Sequence, residues 1–436
     1  YFKRQWGPKF HYYASPWPGS EYLSRLKQNG GQGPQRPETH YLFKEAGQAR
    51  FGNWEMVYAP PLAKKSVLDG CFSLGNAVHS EKAPHLKPEK ADAPSEVVIK
   101  YYSPYLCSGC PNDLAKADDA TDGAVFEGEF ANASGAVLYS LDLGKSWEEA
   151  HKGGGKFKLD LTPKLETRAG WLIKLAFQGA GAGVTAFKST LTGQLSPAML
   201  PFVDGKTKMT FTREDTDCLV FEPDLTVSEA ELRRVAKDVE NYESFSDSIS
   251  GHHVFKANAG SVTFKVDAPG DIVRVQTAAK FGGRKGTSMC GVSFSIDDGK
   301  TWVVACDQTV VKDEDHPEEF WGQCVDGILD FTKKKAYSLG CVPHAKSVRE
   351  NAFEPQPARS VLVKIHTRGG DCRLISLEGI YVLYKKPGAL PLTITHKWTG
   401  GEHVEKIKAE EASKSYEVNG GPLAVNELIK MEAGAP

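Results

Sequence analysis

A mainly β chain of two tandem β-sandwich modules, each with a small helical element at its entrance and preceded by an extended N-terminal arm, is predicted by three features of the sequence. One turn motif occurs twice, four landmarks recur in the same order, and short alternating apolar runs are punctuated by Gly, Pro and Asp. The motif reads Ser140-Leu141-Asp142-Leu143-Gly144-Lys145-Ser146-Trp147 in the first copy and Ser295-Ile296-Asp297-Asp298-Gly299-Lys300-Thr301-Trp302 in the second. It suits a β-hairpin. Asp142 and Asp297 can accept hydrogen bonds from turn N–H groups, Gly144 and Gly299 tolerate positive φ, and Trp147 and Trp302 can pack beneath the turn.

The remaining landmarks frame these hairpins. Met56-Val57-Tyr58-Ala59-Pro60-Pro61-Leu62 matches Leu219-Val220-Phe221-Glu222-Pro223-Asp224-Leu225, and the strand running into Pro104 matches the strand running into Pro269. Trp171-Leu172-Ile173-Lys174-Leu175, with a later Leu200-Pro201, matches Val361-Leu362-Val363-Lys364-Ile365, with a later Leu390-Pro391. From Tyr58 to Phe221, Pro104 to Pro269, Trp147 to Trp302 and Leu200 to Leu390, the copies stand 163, 165, 155 and 190 residues apart. The order holds while the spacing drifts, and most of the drift follows the second hairpin, where residues 310–359 read as a surface insertion.

The domains expected are therefore an aromatic, Gly- and Pro-rich arm at 1–53, a first module at 54–213 and a second at 214–400, with C-terminal strands and a tail at 401–436. Val227 to Val239 reads as a helix capped by Ser228, with Leu232, Val235, Ala236 and Val239 on one face. Its counterpart near Ser66 to Ala77 is a weaker version.

The motif resembles the Asp-box hairpins of sialidases and of secreted β proteins. The wider set of landmarks, from about residue 54 to 400, looks like uncharacterised secreted bacterial proteins of the planctomycete type that carry repeated Asp-box modules. That resemblance implies an extracellular or envelope location and nominates no catalytic residue. A sialidase would place Asp boxes at propeller-blade spacing, about 40–50 residues, whereas these stand 155 apart. It would also need three arginines for the substrate carboxylate, with a Tyr/Glu pair, and no local motif supplies them.

Composition narrows the function classes. The 436 residues carry 53 basic and 55 acidic side chains, a net charge of -2, so no overall field draws nucleic acid or an anionic membrane. The apolar runs are strand-sized and broken by charge, which predicts no transmembrane segment. Tyr1 in place of a methionine fits removal of a secretory signal, and nine cysteines fit an oxidising compartment. A secreted, periplasmic or cell-surface location is expected.

Other candidate sites are sparse. Cys107 and Cys110 have the spacing of a short disulfide, and Pro111 rules out haem attachment. Asp118, Asp122 and Glu129 partly imitate a calcium loop, although Ala120 removes one ligand, so no cofactor is predicted and calcium is the cation to test. The acidic run 313–319 reads as solvated, and His252-His253 as residues on opposite faces of a strand. Gly153 to Lys156 and Gly282 to Gly286 read as turns, because neither completes a phosphate loop. The function expected is non-catalytic, in glycan binding or protein assembly, with residues 1–53 as the assembly element. The alternatives are a carbohydrate-active hydrolase of sialidase type and an accessory subunit of an extracellular complex or filament.

Overall fold

The computed structural model describes residues 54–102, 122–193, 205–253, 259–283, 289–309, 321–338, 350–368 and 373–434, apart from scattered loop positions within them. The arm at 1–53, Cys107, Cys110, Asp118, the acidic run 313–319 and Leu200-Pro201 lie outside the described residues. As the alternating sequence predicts, the chain is mainly β, with several sheets and, among the described residues, no barrel. It divides into two compact units, one holding residues 54–140, 147–215 and 387–436, the other holding 141–146 and 216–386.

The first unit begins with β1 (Trp54–Tyr58), a 3-10 helix at Lys65–Gly70, β2 (Ser73–Gly75), β3 (Ala77–His79), β4 (Leu86–Pro88), β5 (Ser95–Tyr102) and β6 (Ala124–Ala131). It continues through β7 (Ala136–Ser140), β8 (Glu148–Lys152), β9 (Gly155–Asp160), helix α1 (Thr162–Leu165), β10 (Gly170–Phe177), β11 (Gly183–Gly193) and β12 (Lys206–Thr212). The second unit adds β13 (Thr216–Phe221), helix α2 (Glu229–Val235), β14 (Asp238–Glu240), β15 (Phe245–Asp247), β16 (Gly251–His253), β17 (Ala259–Asp267) and β18 (Ile272–Gly283). After these come β19 (Met289–Ser295), β20 (Val303–Thr309), β21 (Trp321–Asp330), β22 (Lys335–Tyr337), β23 (Glu350–Ala352), β24 (Ser360–Arg368) and β25 (Arg373–Lys385). The chain then returns to the first unit for β26 (Leu392–Trp398), β27 (Gly401–Ile407), β28 (Ser413–Asn419) and β29 (Asn426–Ala433).

Each unit has at its core a pair of sheets packed through apolar faces, with a two-stranded ribbon beside them. In the first, the antiparallel sheet β2-β5-β10-β7-β8 faces a sheet built on β9-β6-β11-β1. Tyr101 on β5 links the two layers. Its ring stacks 5.9 Å from Trp171, meets Phe126 edge-on at 5.5 Å, and its hydroxyl donates to Ser189 Oγ at 2.9 Å. The returning strands extend the second sheet, with β29 inserted parallel to β1 and antiparallel to β26.

In the second unit, β14-β17-β24-β19-β20 faces β13-β25-β18-β21-β22-β23. Phe221 meets Phe264 edge-on at 5.5 Å, and Gly327 on β21 approaches β19 so closely that a Cβ there would lie 2.5 Å from Val292 Cγ1. The orders β14-β17-β24-β19-β20 and β13-β25-β18-β21 follow, strand for strand along the chain, the orders β2-β5-β10-β7-β8 and β1-β11-β6-β9. Register agrees as well. Ser140 lies opposite Leu172 as Ser295 lies opposite Leu362, and Lys174 opposite Val98 as Lys364 opposite Thr263.

Two local expectations change. Helix α2 has the capping box of Ser228 and Glu231 but spans only Glu229–Val235, because the chain turns extended at Ala236 and Val239 is buried as part of β14. Residues 310–359 are more than a surface insertion. Val325, Ile328 and Leu329 are buried in β21, which pairs with β18 as β9 pairs with β6, leaving β22 and β23 as the added strands.

Candidate functional site

The two turn motifs connect β7 to β8 and β19 to β20, and the same chemistry closes both. The Ser146 N–H donates to Asp142 Oδ1 at 2.8 Å and its hydroxyl to Oδ2 at 2.6 Å, while Thr301 makes the same two bonds to Asp297 at 2.9 and 2.6 Å. Each turn places two successive residues at positive φ, Leu143 at 61° with Gly144 at 88°, and Asp298 at 58° with Gly299 at 91°. This pattern matches the right-handed twist of a tight hairpin. In the second motif Ser295 Oγ also donates to Asp297 and accepts from the Gly299 N–H. The Thr301 bonds, with that of Ser295, hold the Asp297 carboxyl down at about 2. Its contribution to the turn is complete above the ordinary carboxylate range, near 4, and is lost as pH falls through about 2.

Both tryptophans are half-buried beside a lysine from the neighbouring strand. Lys174 Nζ lies 4.1 Å from the Trp147 ring centre, and Lys364 Nζ lies 4.4 Å from that of Trp302. These are short cation–π distances. Trp302 also lies against the turn, its Cζ2 being 3.8 Å from where a Cβ on Gly299 would stand. On the same sheet face of the first unit, Lys174 pairs with Glu96 at 2.8 Å.

The corresponding face of the second unit is richer in polar groups. Lys364, His366 and Arg368 alternate with the core-facing residues of β24, and Arg368 bonds Asp307 at 2.7 Å. The His366 ring lies over Gly291, where a Cβ would come within 2.7 Å of its Nε2. That nitrogen is buried 3.9 Å from Asp307 Oδ1, with no hydrogen-bond partner among the described residues. Ser261, opposite His366 on β17, donates to Glu240 at 2.7 Å. The first unit has Ala176 and Gln178 where the second has His366 and Arg368, following the register of Lys174 with Lys364.

The remaining sequence candidates do not converge. Asp122 is exposed at the start of β6 with its N–H bonded to Asp160, whereas Glu129 lies near the other end of that strand opposite Lys156. At about 3.3 Å per strand residue they are too far apart to share a cation. Among the described residues no group of His, Cys, Asp and Glu could hold a metal ion, and no cysteines lie at disulfide distance. Gly153 and Gly155, at φ 142° and 80°, form the turn between β8 and β9. His252 and His253 pair with Ser246 and Phe245 in a two-stranded ribbon. No helix among the described residues is long and apolar enough to cross a membrane.

Sequence reasoning missed one cluster in the returning segment. His396 on β26 lies directly opposite His403 on β27, and both rings pack against Tyr416 of β28, His403 lying parallel to it at 5.6 Å. His396 Nε2 and the Tyr416 hydroxyl share a 2.8 Å hydrogen bond, while Glu405 takes His403 at 3.3 Å and Lys414 at 2.6 Å. Burial and then the facing His403 push His396 down to about 4, and burial and then Glu405 push Tyr416 up to about 12. The signal was present: the Gly400-Gly401 pair marks a turn, and counting outward from the pair of Trp398 with Gly401 puts residues 396 and 403 side by side.

No known family profile matches the chain, and no curated protein matches it in sequence. Solved structures show a weak likeness. A carbohydrate-binding module, CBM66 from Bacillus subtilis, is 8% identical over 34% of this chain and 91% of its own, with a TM-score of 0.20. The module TmCBM61, solved with β-1,4-galactotriose, is 9% identical over 41% of this chain and 88% of its own, with a TM-score of 0.18. A sialidase is 10% identical over 52% of this chain and 21% of its own, with a TM-score of 0.20. Scores this low carry no argument about function.

Proposed function

We propose that this chain is a non-catalytic glycan-binding β protein that presents one saccharide-binding face on each five-stranded sheet. The observation that supports the reading is the repeated arrangement of a half-buried tryptophan that follows the turn motif and is flanked by a lysine from the same register position. Saccharides are bound where an aromatic ring meets their C–H face and charged or amide side chains reach their hydroxyls. A ring already held by its turn loses little freedom on binding. Lys174 with Glu96, and Lys364 with Arg368 and Asp307, supply the donors and acceptors around it. The shared strand order reflects duplication of one module in this reading, and the setting is extracellular or on the cell envelope.

Affinity electrophoresis through gels containing neutral and acidic polysaccharides tests it. Retardation by at least one polysaccharide is expected, without its cleavage, and Trp147→Ala or Trp302→Ala should weaken retardation roughly tenfold or more, as the loss of a stacked aromatic contact would. Retardation by none, or retardation untouched by both substitutions together, contradicts the proposal.

A further inference from the structure

Among the described residues, the ribbon of β12 and β28 rests on the first unit through a small apolar face, bonds of Arg213 and Lys414 to backbone carbonyls, and one titratable cluster. Its seven register pairs run from Lys206 with Asn419 to Thr212 with Ser413, and each strand alternates exposed with half-buried residues and carries one buried apolar side chain, Phe211 on β12 and Val418 on β28. A ribbon of two strands is marginal without an apolar face to rest on. Among the described residues that face includes the buried Phe211 and Val418, the latter packed on Trp398 with Met209, Tyr416 and Ala424. At one end Arg213 donates to the carbonyl oxygens of Leu390, Ala409 and Glu411 at 2.9, 2.6 and 2.8 Å. A guanidinium does not titrate in water at any ordinary pH, so this end is a fixed hinge.

The middle of the ribbon is held differently. Tyr416 packs against both imidazoles, hydrogen-bonded to His396 and stacked on His403. The groups around His396 are His403 from β27, Tyr416 from β28 and the apolar Ile429 from β29. Glu405 and Lys414, the other charged members of the cluster, bond each other, with Glu405 also taking His403. No carboxylate therefore faces His396 among the described residues, and its residue is only 3% exposed. A charge placed there is poorly solvated and stands against a second ring whose centre is 6.5 Å away.

We propose that the β12–β28 ribbon is an acid-released flap, closed over β26 and β27 while the buried His396 is neutral and let go when that ring takes up a proton. Opening frees His396 to take up its proton at the ordinary value of about 6.5 in place of about 4. Protons bind the open form more tightly, so acid favours opening, and the stability of the closed form falls as pH drops through this window. Between pH 7 and about pH 4.5 the opening constant rises roughly fiftyfold from this ring alone. The phenol can donate to a neutral imidazole or accept from a charged one, so the hydrogen bond to Tyr416 is retained in either form and the buried charge is the sensor.

Hydrogen exchange of the full chain, read by mass spectrometry and corrected for the intrinsic pH dependence of exchange, tests the flap. Peptides covering 206–212 and 413–419 should lose protection more than tenfold between pH 7 and about pH 4.5, while those covering 95–102 and 170–177 hold theirs. His396→Gln, which keeps a polar partner for Tyr416 without a titrating ring, should remove that response. His403→Gln should weaken it, and it serves where the first variant fails to fold. Ribbon protection unchanged with pH, loss shared equally with β5 and β10, or a full acid response in the variants would overturn the proposal.

Discussion

Gly299 and Gly291 lie eight residues apart, and the structure constrains them for different reasons. At Gly299 the backbone is at φ 91°, while an added Cβ would meet only Leu362 Cδ1 at 3.5 Å and Trp302 Cζ2 at 3.8 Å, both ordinary contacts. Alanine there costs about 1–2 kcal/mol of conformational strain. At Gly291 the φ is ordinary, but a Cβ would stand 2.4 Å from the Cys306 carbonyl oxygen and 2.7 Å from His366 Nε2. A backbone atom cannot give way as a side-chain tip can, so Gly291→Ala should cost about 3 kcal/mol, the upper end of overpacking penalties. Urea denaturation of the two variants checks the ranking, and a larger loss at Gly299 would contradict it. The turn chemistry was legible because Asp142 and Asp297 each sit four residues before the serine or threonine they bond. His366 was not, since its packing over Gly291 depends on a strand pairing that no local spacing announces.

Among the elements, those closed by local contacts were the most legible. The hairpins β7–β8 and β19–β20 follow from their turns, and α2 begins where Ser228 and Glu231 place it. Its end was misjudged because the apolar spacing of Leu232, Val235, Ala236 and Val239 suits a helix, yet Val239 is buried as a strand residue against Val262. Strand β29 is the opposite case. Its five-pair parallel register with β1, from Trp54 with Ile429 to Tyr58 with Ala433, joins segments about 375 residues apart in sequence and leaves no periodic trace. This strand links β26 and β27 to the sheet of the first unit, with Lys430 bonding Glu55 at 3.3 Å. Deleting residues 426–436 should unpair β1 on that side and lower the melting transition of the first unit, while a second transition from the other unit stays in place. Calorimetry distinguishes this from a deletion that leaves both transitions where they were.

At the scale of the whole molecule, one order of strand connection is used in both units, and the outer faces of their five-stranded sheets carry different polar groups. The first unit carries Glu96 beside Lys174, while the second carries His366, Arg368 and Asp307 beside Lys364. The near cancellation of 53 basic and 55 acidic residues leaves recognition to such local arrangements and not to an overall field. Polar faces of this kind, anchored by Trp147 and Trp302, are the basis for reading the chain as a glycan-binding protein. The most direct measurement follows the indole N–H resonances of these two tryptophans by NMR while an oligosaccharide from a retarding polysaccharide is added. Saturable shifts of one or both indoles, lost in the corresponding alanine variant, are the result expected of glycan binding at these faces. Saturable binding that leaves both indoles unmoved and shifts only resonances elsewhere would contradict it.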